Sequence, residues 1–230
     1  SYKTTAQIPD YYENGDTAIR MERKLIKKVK RPAHTPYHRQ STDFTCGPSA
    51  LIMAMKSQNK SISASKAQEL NIWREATTIF MASGHGGTSP LGLAIAASHR
   101  GFWTELWVSG EKIPFIKTMR TEAKKEIYQI VHQEFERQIK EAKIKKHTNT
   151  LKIEHLEELY KKGCTAIVLI STYQLDREKT PHWVWVVHID DHYVYINDPF
   201  FSEDDYETSD DKIFIPVPRV VFQRMMIYGT

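Results

Sequence analysis

Apolar and polar positions divide the chain into a helical first part and a strand-rich last third. The run Ala50-Leu51-Ile52-Met53-Ala54-Met55 is apolar on every side, as in a helix buried all round. Pro48 fits the first turn, where its missing N–H costs nothing. The pattern therefore predicts a helix over 46–57, with shorter helices over 64–70 and 73–82. Leu91 to His99 reads as another, with Ala94, Ala96 and Ala97 allowing close packing and Gly101 as the stop. Charge is dense over 114–147. Ile116, Met119, Ala123, Ile127, Ile130, Val131, Phe135 and Ile139 still recur in steps of three and four. That spacing predicts a long amphipathic helix with at most one break. Residues 153–162 read as a helix through Leu156, Leu159 and Tyr160, closed by Gly163.

The period then changes. Phe102 to Val108 alternates as a strand does, and Thr165 to Ser171 is a continuous apolar run suited to a buried strand. Trp183 to Ile189 and His192 to Asn197 are rich in β-branched and aromatic residues. Asp190-Asp191 between them predicts a hairpin. Ile213 to Val217 and Val220 to Met226 add a strand and an end piece. Helices first and an antiparallel sheet later give an α+β class. Before Gln40 the periodicity is weak. Prolines recur, and a basic run from Arg23 to Arg31 suggests a solvated arm with one short strand at 25–29. Residues 1–37 are read as an N-terminal extension. Residues 38–230 are read as one domain with a charged helical insertion at about 114–147.

Composition narrows the function. With 40% hydrophobic and 26% charged residues in 230, the chain can bury a core. No apolar run is long enough for a membrane-spanning helix. The net charge of +4 is spread out. No basic stripe interleaves with aromatics, so a nucleic-acid partner is not expected. Two cysteines exclude a disulfide framework and a cysteine-dominated zinc site. They fit a reducing compartment, and no secretory pattern opens the sequence. A cytoplasmic setting is the expectation, with export the alternative where a signal precedes this sequence.

One cysteine has the surroundings of a nucleophile. Thiol chemistry needs a thiolate, a base to hold it ionised, and donors for the developing oxyanion. Cys46 stands where a loop turns into a helix, whose unpaired N–H groups and partial positive charge favour the thiolate. Gln40, six residues earlier, offers a side-chain amide donor. His182 heads an apolar strand directly after a polar loop. Asp198 ends the following strand, so a hairpin would return it to the level of His182, where it could orient the imidazole. Each residue alone has a structural explanation, as a packed cysteine, an ordinary histidine or an Asp-Pro turn. The order Gln, Cys, His, Asp on these elements is harder to explain that way.

Gln40-Ser41-Thr42-Asp43-Phe44-Thr45-Cys46-Gly47-Pro48-Ser49-Ala50 resembles the active-site segment of the bacteriocin-processing, double-glycine-leader peptidases, and in particular their standalone relatives. His182-Trp183-Val184-Trp185 resembles their histidine strand, and Asn197-Asp198-Pro199 their Asp-Pro segment. The resemblance covers about 38–60 and 150–200, and Thr45 departs from the usual Asp. It implies a papain-like fold, with a helical half carrying the cysteine and an antiparallel sheet carrying His and Asp. It also implies a cysteine peptidase with Cys46 as nucleophile, His182 as base, Asp198 as orienter and Gln40 as oxyanion donor. The partner would be a peptide or protein substrate, and no cofactor or metal is expected. The same groups would serve an amidase, isopeptidase or acyltransferase, and a non-catalytic module of this fold would bind peptide in the cleft.

Gly84-His85-Gly86-Gly87 marks a loop whose glycines let backbone approach a ligand. His85, Gly86, Gly87 and Trp183 are therefore candidate substrate-binding residues. Trp183 and Trp185 share a face by period two and form a hydrophobic wall. Cys164 reads as a core residue. His182 and His188 share a strand face by alternation. With Asp190 and His192 nearby they still lack the spacing of a metal motif.

Overall fold

The computed structural model describes residues 3–22, 29–77, 80–81, 84–110, 113, 116, 121–173, 180–200 and 208–227. The chain forms two compact units, Ser1–Arg31 and Pro32–Thr230. The first is an antiparallel hairpin of β1 (Lys3–Ile8) and β2 (Ala18–Glu22), with a bulge between Thr4 and Ala6. In its connection Gly15 adopts φ +80 and donates to the Tyr12 carbonyl at 2.8 Å, a turn that glycine enters without strain. This hairpin was not expected. The strand anticipated at 25–29 falls mostly outside the described residues.

In the second unit α1 (Cys46–Gln58) is buried from Gly47 to Met55. It lies against Trp183, Trp185 and Val187 of one strand, β8 (Pro181–Ile189). The sheet order is β10-β9-β8-β7, with β7 (Ala166–Ser171), β9 (Tyr193–Asn197) and β10 (Ile215–Pro218), and every neighbouring pair is antiparallel. The opposite face of β8, through Val184 and Val186, packs with Leu156 of α5 (Ile153–Lys161) and Phe222 of α6 (Arg219–Met226). Both faces of the sheet are thus covered, which explains its near-continuous apolar strands. A bulge between Val186 and His188 shifts the alternation. The simple two-residue period therefore fails to place His188 on the strand face of His182. Its ring instead meets Tyr160, Tyr195 and Phe214.

Two expected helices become one. α2 runs Lys66–Ala76, capped by the Ser65 hydroxyl, which accepts from the Gln68 N–H. It stops because Thr77 turns extended and bridges to Thr88. The chain then forms a two-residue ladder of β3 (Phe80–Met81) and β4 (Gly84–His85) in place of the helix expected over 73–82. α3 (Pro90–His99) follows, with Pro90 in the first turn and the Ser89 hydroxyl as cap.

The long helix expected over 114–147 is shorter. α4 covers Glu122–Glu141, and Lys143 then adopts φ +54. Lys145–His147 becomes strand β6, parallel to β5 (Glu105–Trp107). The core side of α4 is Tyr128, His132, Phe135 and Ile139, whereas Ile127 and Ile130 are exposed. Phe135 and Ile139 pack with Leu91, Ala94 and Ile95 of α3, joining α4 to the core of the unit. Among the described residues no helix is long and apolar enough to cross a membrane.

α2 and α3 touch backbone to backbone. A Cβ on Gly92 would lie 2.6 Å from the Ala76 Cα and 2.7 Å from its carbonyl oxygen. Backbone cannot swing aside as a side chain can, so Gly92→Ala should cost about 2 kcal/mol by overpacking. The thermal midpoint should fall by roughly 4–8 °C, read by circular dichroism. An unchanged midpoint would contradict this packing.

Candidate active site

Pairing of β8 with β9 brings together two residues that stand at opposite ends of the hairpin sequence. The His182 Nε2–H donates to Asp198 Oδ1 at 2.7 Å, and both side chains are buried. Asp198 is held in turn. Its Oδ1 accepts the Phe200 N–H at 2.8 Å, and its own N–H donates to the Lys212 carbonyl at 2.9 Å. With Nε2 engaged, Nδ1 is the ring nitrogen left for the Cys46 sulfur, which lies within hydrogen-bonding range of the imidazole. Burial alone would push the His182 pKa down. The Asp198 carboxylate, by its charge and hydrogen bond, and then the Cys46 sulfur outweigh that and raise it from 6.5 to about 10. The arrangement favours an imidazolium facing the sulfur at neutral pH.

Cys46 opens α1 and is a free, half-buried thiol. The N-cap residue of α1, Thr45, makes no side-chain capping bond. The Thr45 hydroxyl, which could make one, accepts the Thr42 N–H at 3.3 Å instead. The N–H groups of the first turn therefore stay available beside the sulfur. Gly47 is closely surrounded. A Cβ there would meet the Thr88 hydroxyl oxygen at 2.2 Å, Leu93 at 3.0 Å and Trp183 at 3.1 Å.

Gln40 is buried and belongs to a strap, residues 36–41, that crosses the end of the sheet. Its N–H donates to the Pro199 carbonyl at 2.9 Å, and its Nε2 donates one hydrogen to the Thr42 carbonyl at 2.9 Å. The Tyr37 hydroxyl donates to the Asp198 carbonyl at 2.9 Å, and Asn197 Nδ2 to the Pro36 carbonyl at 3.2 Å. Four buried side-chain atoms lack a hydrogen-bond partner among the described residues. Three of them, on Gln40, Ser49 and Thr88, belong to segments around the start of α1. Unsatisfied buried polar atoms are rare in folded chains, and their concentration here suits a site built to take a polar ligand.

Sequence reasoning passed over Glu69 of α2. Its side chain is fully buried. One carboxylate oxygen accepts from the Ser41 N–H at 2.7 Å and the Ser41 hydroxyl at 2.9 Å. The other accepts from His38 Nε2 at 2.9 Å. Burial pushes its pKa up, but hydrogen bonds from His38, Thr45 and Ser41 hold it below the usual carboxylate value. The signal was present: Glu69, Ile72 and Ala76 fall on one helical stripe, and an acid there demands buried partners.

The glycine-rich loop is held by the same helix. Trp73 Nε1 donates to the Gly86 carbonyl at 2.8 Å, and the Thr77 hydroxyl to the Gly87 carbonyl at 3.3 Å. Gly87 is exposed, and a Cβ on it would meet nothing within 4 Å. His85 pairs with Phe80 through β4, and its side chain lies outside those described. Trp183 is buried against α1 and lines an apolar cavity of about 1380 Å³ shared with Leu93, Phe102 and Leu169. Thr88, beside Gly47, was also missed. Cys164 is half-buried. Among the described residues no three His, Cys, Asp or Glu side chains converge to hold a metal ion. Asp190 is occupied by the N–H groups of His192 and Tyr193 and by the Tyr195 hydroxyl.

The Peptidase_C39 like family matches residues 35–230. The chain belongs to this family. The match agrees with the resemblance read from the Gln40–Ala50, His182 and Asp198 segments. It spans the whole strap, sheet and helical layer and leaves out the N-terminal hairpin. A solved structure of a candidate C39-like peptidase from Bacillus anthracis is similar at 16% identity and a TM-score of 0.44, covering 86% of this chain and 92% of that one. No curated protein matches the chain.

The raised His182 pKa has a consequence for stability. A group whose folded pKa exceeds its unfolded value stabilises the fold fully below the unfolded value, and loses that contribution as pH rises through the folded one. For His182 the loss runs from about 6.5 to about 10. Denaturant titrations should show stability falling across that window, and Asp198→Asn should flatten the slope. An equal slope in both proteins would contradict the assigned cause.

Proposed function

We propose that the chain is a cysteine peptidase in which Cys46 is the nucleophile and His182 the general acid and base. The reading rests on one observation: the His182 imidazole carries Asp198 at 2.7 Å on one nitrogen and has the Cys46 sulfur within hydrogen-bonding range. Membership of a peptidase-like family supports a peptide bond as the target.

The steps follow from the groups present. The Cys46 thiolate attacks the scissile carbonyl carbon, forming a C–S bond and moving the carbonyl electron pair onto oxygen. The oxyanion accepts from the Cys46 N–H and from the remaining Gln40 Nε2 hydrogen. The His182 Nδ1–H then protonates the leaving amine as the C–N bond breaks, leaving a thioester. Water, deprotonated by Nδ1, attacks the thioester. The thiolate leaves, His182 has regained its proton, and the acid product departs. Asp198 keeps the imidazole oriented and stabilises its charged form throughout. The Gly86–Thr88 loop, whose Thr88 hydroxyl lies against Gly47, forms the substrate wall nearest the nucleophile, with the buried Trp183 behind it.

Iodoacetamide provides the test, because its alkylation of a thiolate needs no particular substrate. Cys46 should be modified faster than Cys164 by at least about tenfold at neutral pH. His182→Ala should slow the Cys46 rate by about a hundredfold. Peptide mapping by mass spectrometry reads both. Equal labelling of the two cysteines, or an unchanged rate in the His182 variant, would overturn the mechanism.

A further inference from the structure

Gln40 can serve an oxyanion only if its backbone is fixed relative to α1, and the strap that carries it has no regular secondary structure. It is anchored on two sides. On the sheet side, the Gln40 N–H reaches the Pro199 carbonyl at 2.9 Å. On the helical side, the buried Glu69 carboxylate takes His38 on one oxygen and both donors of Ser41 on the other. Glu69 therefore brackets Gln40 in sequence, gripping residues two before and one after it. Trp73, one turn further along α2, contacts the Phe44 ring, with centroids 4.9 Å apart, and holds Gly86 on the other side. The same helix thus anchors the loop leading into Cys46 and the glycine-rich loop.

We propose that Glu69 is a positioning residue for the oxyanion donors: by gripping Ser41 and His38 from α2 it keeps Gln40 aimed beside Cys46. It touches neither substrate nor sulfur. A hydrophobic residue there could fill the space but could not satisfy the Ser41 N–H and hydroxyl, so the strap would relax away from α2. The grip depends mainly on an acceptor oxygen at the Oε1 position. Glu69→Gln, which keeps that oxygen, should therefore preserve it, while Glu69→Leu should not. The inference rests on the reaction proposed above.

The test compares two reactions of Cys46 that differ in their need for an oxyanion hole. Iodoacetamide alkylates the thiolate by displacement at a saturated carbon, and no oxyanion forms. p-Nitrophenyl acetate acetylates it through a tetrahedral oxyanion and releases p-nitrophenolate, which is read at its absorbance. In the full chain, Gln40→Ala should cut acetylation by about a hundredfold. Glu69→Leu should lower the ratio of acetylation to alkylation by about tenfold, whereas Glu69→Gln should leave it within about twofold of the wild type. Ser41→Ala, at an exposed position that spares α2, should lower the ratio by about threefold. A folded Glu69→Leu protein with a wild-type ratio overturns the proposal, as do equal losses in both reactions. If Glu69→Leu does not fold, an unchanged ratio in Ser41→Ala overturns it. Wild-type protein whose Cys46 is not acetylated at all would instead sink the peptidase mechanism, and this inference with it.

Discussion

Trp183, Trp185 and Val187 of β8 pack against α1, and this contact determines where sulfur and imidazole can meet. α1 is buried from Gly47 to Met55, so it cannot slide or rotate without exposing apolar surface. Its first residue is Cys46, and the second residue of β8 is His182. Gly47 lets the start of the helix approach Trp183, Leu93 and Thr88 more closely than any side chain would permit. The apolar core thus places the Cys46 end of the helix, and polar groups then refine it.

Those polar groups form a chain of dependence. The β8–β9 pairing sets His182 against Asp198, and Asp198 is fixed by Phe200, Lys212 and Tyr37. Tyr37 belongs to the strap that ends at Gln40 and Ser41, and Ser41 is held by Glu69 on α2. Sheet, strap and helix are therefore linked through hydrogen bonds, and those made by the buried Glu69, His182 and Asp198 side chains are electrostatically stronger than in solution. The same low dielectric would penalise a lone charge on His182. Asp198 on Nε2 and, after it, the Cys46 sulfur reverse that penalty, which is why the pKa rises despite burial.

Much of this could be read in the sequence, for identifiable reasons. α1 was legible because an unbroken apolar run after Pro48 permits little else. The β8–β9 hairpin was legible because two aromatic and β-branched runs flank Asp190-Asp191. Features that depend on distant partners were not. Nothing local in Lys145–His147 announces a strand, because it exists only through parallel pairing with Glu105–Trp107. Ile127 and Ile130 fit the spacing of a core stripe, yet the core of α4 runs through Tyr128, His132, Phe135 and Ile139. α2 ends at Ala76 because Thr77 engages the segment around Thr88 across space. Glu69 looked like an ordinary helical acid until its partners, roughly thirty residues back in the chain, were in view. That separation follows from long-range pairing, which a periodicity scan does not sense.

The strap also belongs to the compact second unit. The family match starts at residue 35, and the compact second unit at Pro32. From Pro36 on, the chain is bonded to the rest of the second unit. The Pro36 carbonyl accepts from Asn197, Tyr37 donates to Asp198, His38 meets Glu69, and Gln40 reaches Pro199. Residues 36–37, read from sequence as the last of an extension, are therefore structural neighbours of Asp198. A segment without periodicity is easily taken for a linker. Here its polar side chains and backbone groups are spent on the sheet and on α2, and that is what an irregular strap needs if it is to keep a fixed course.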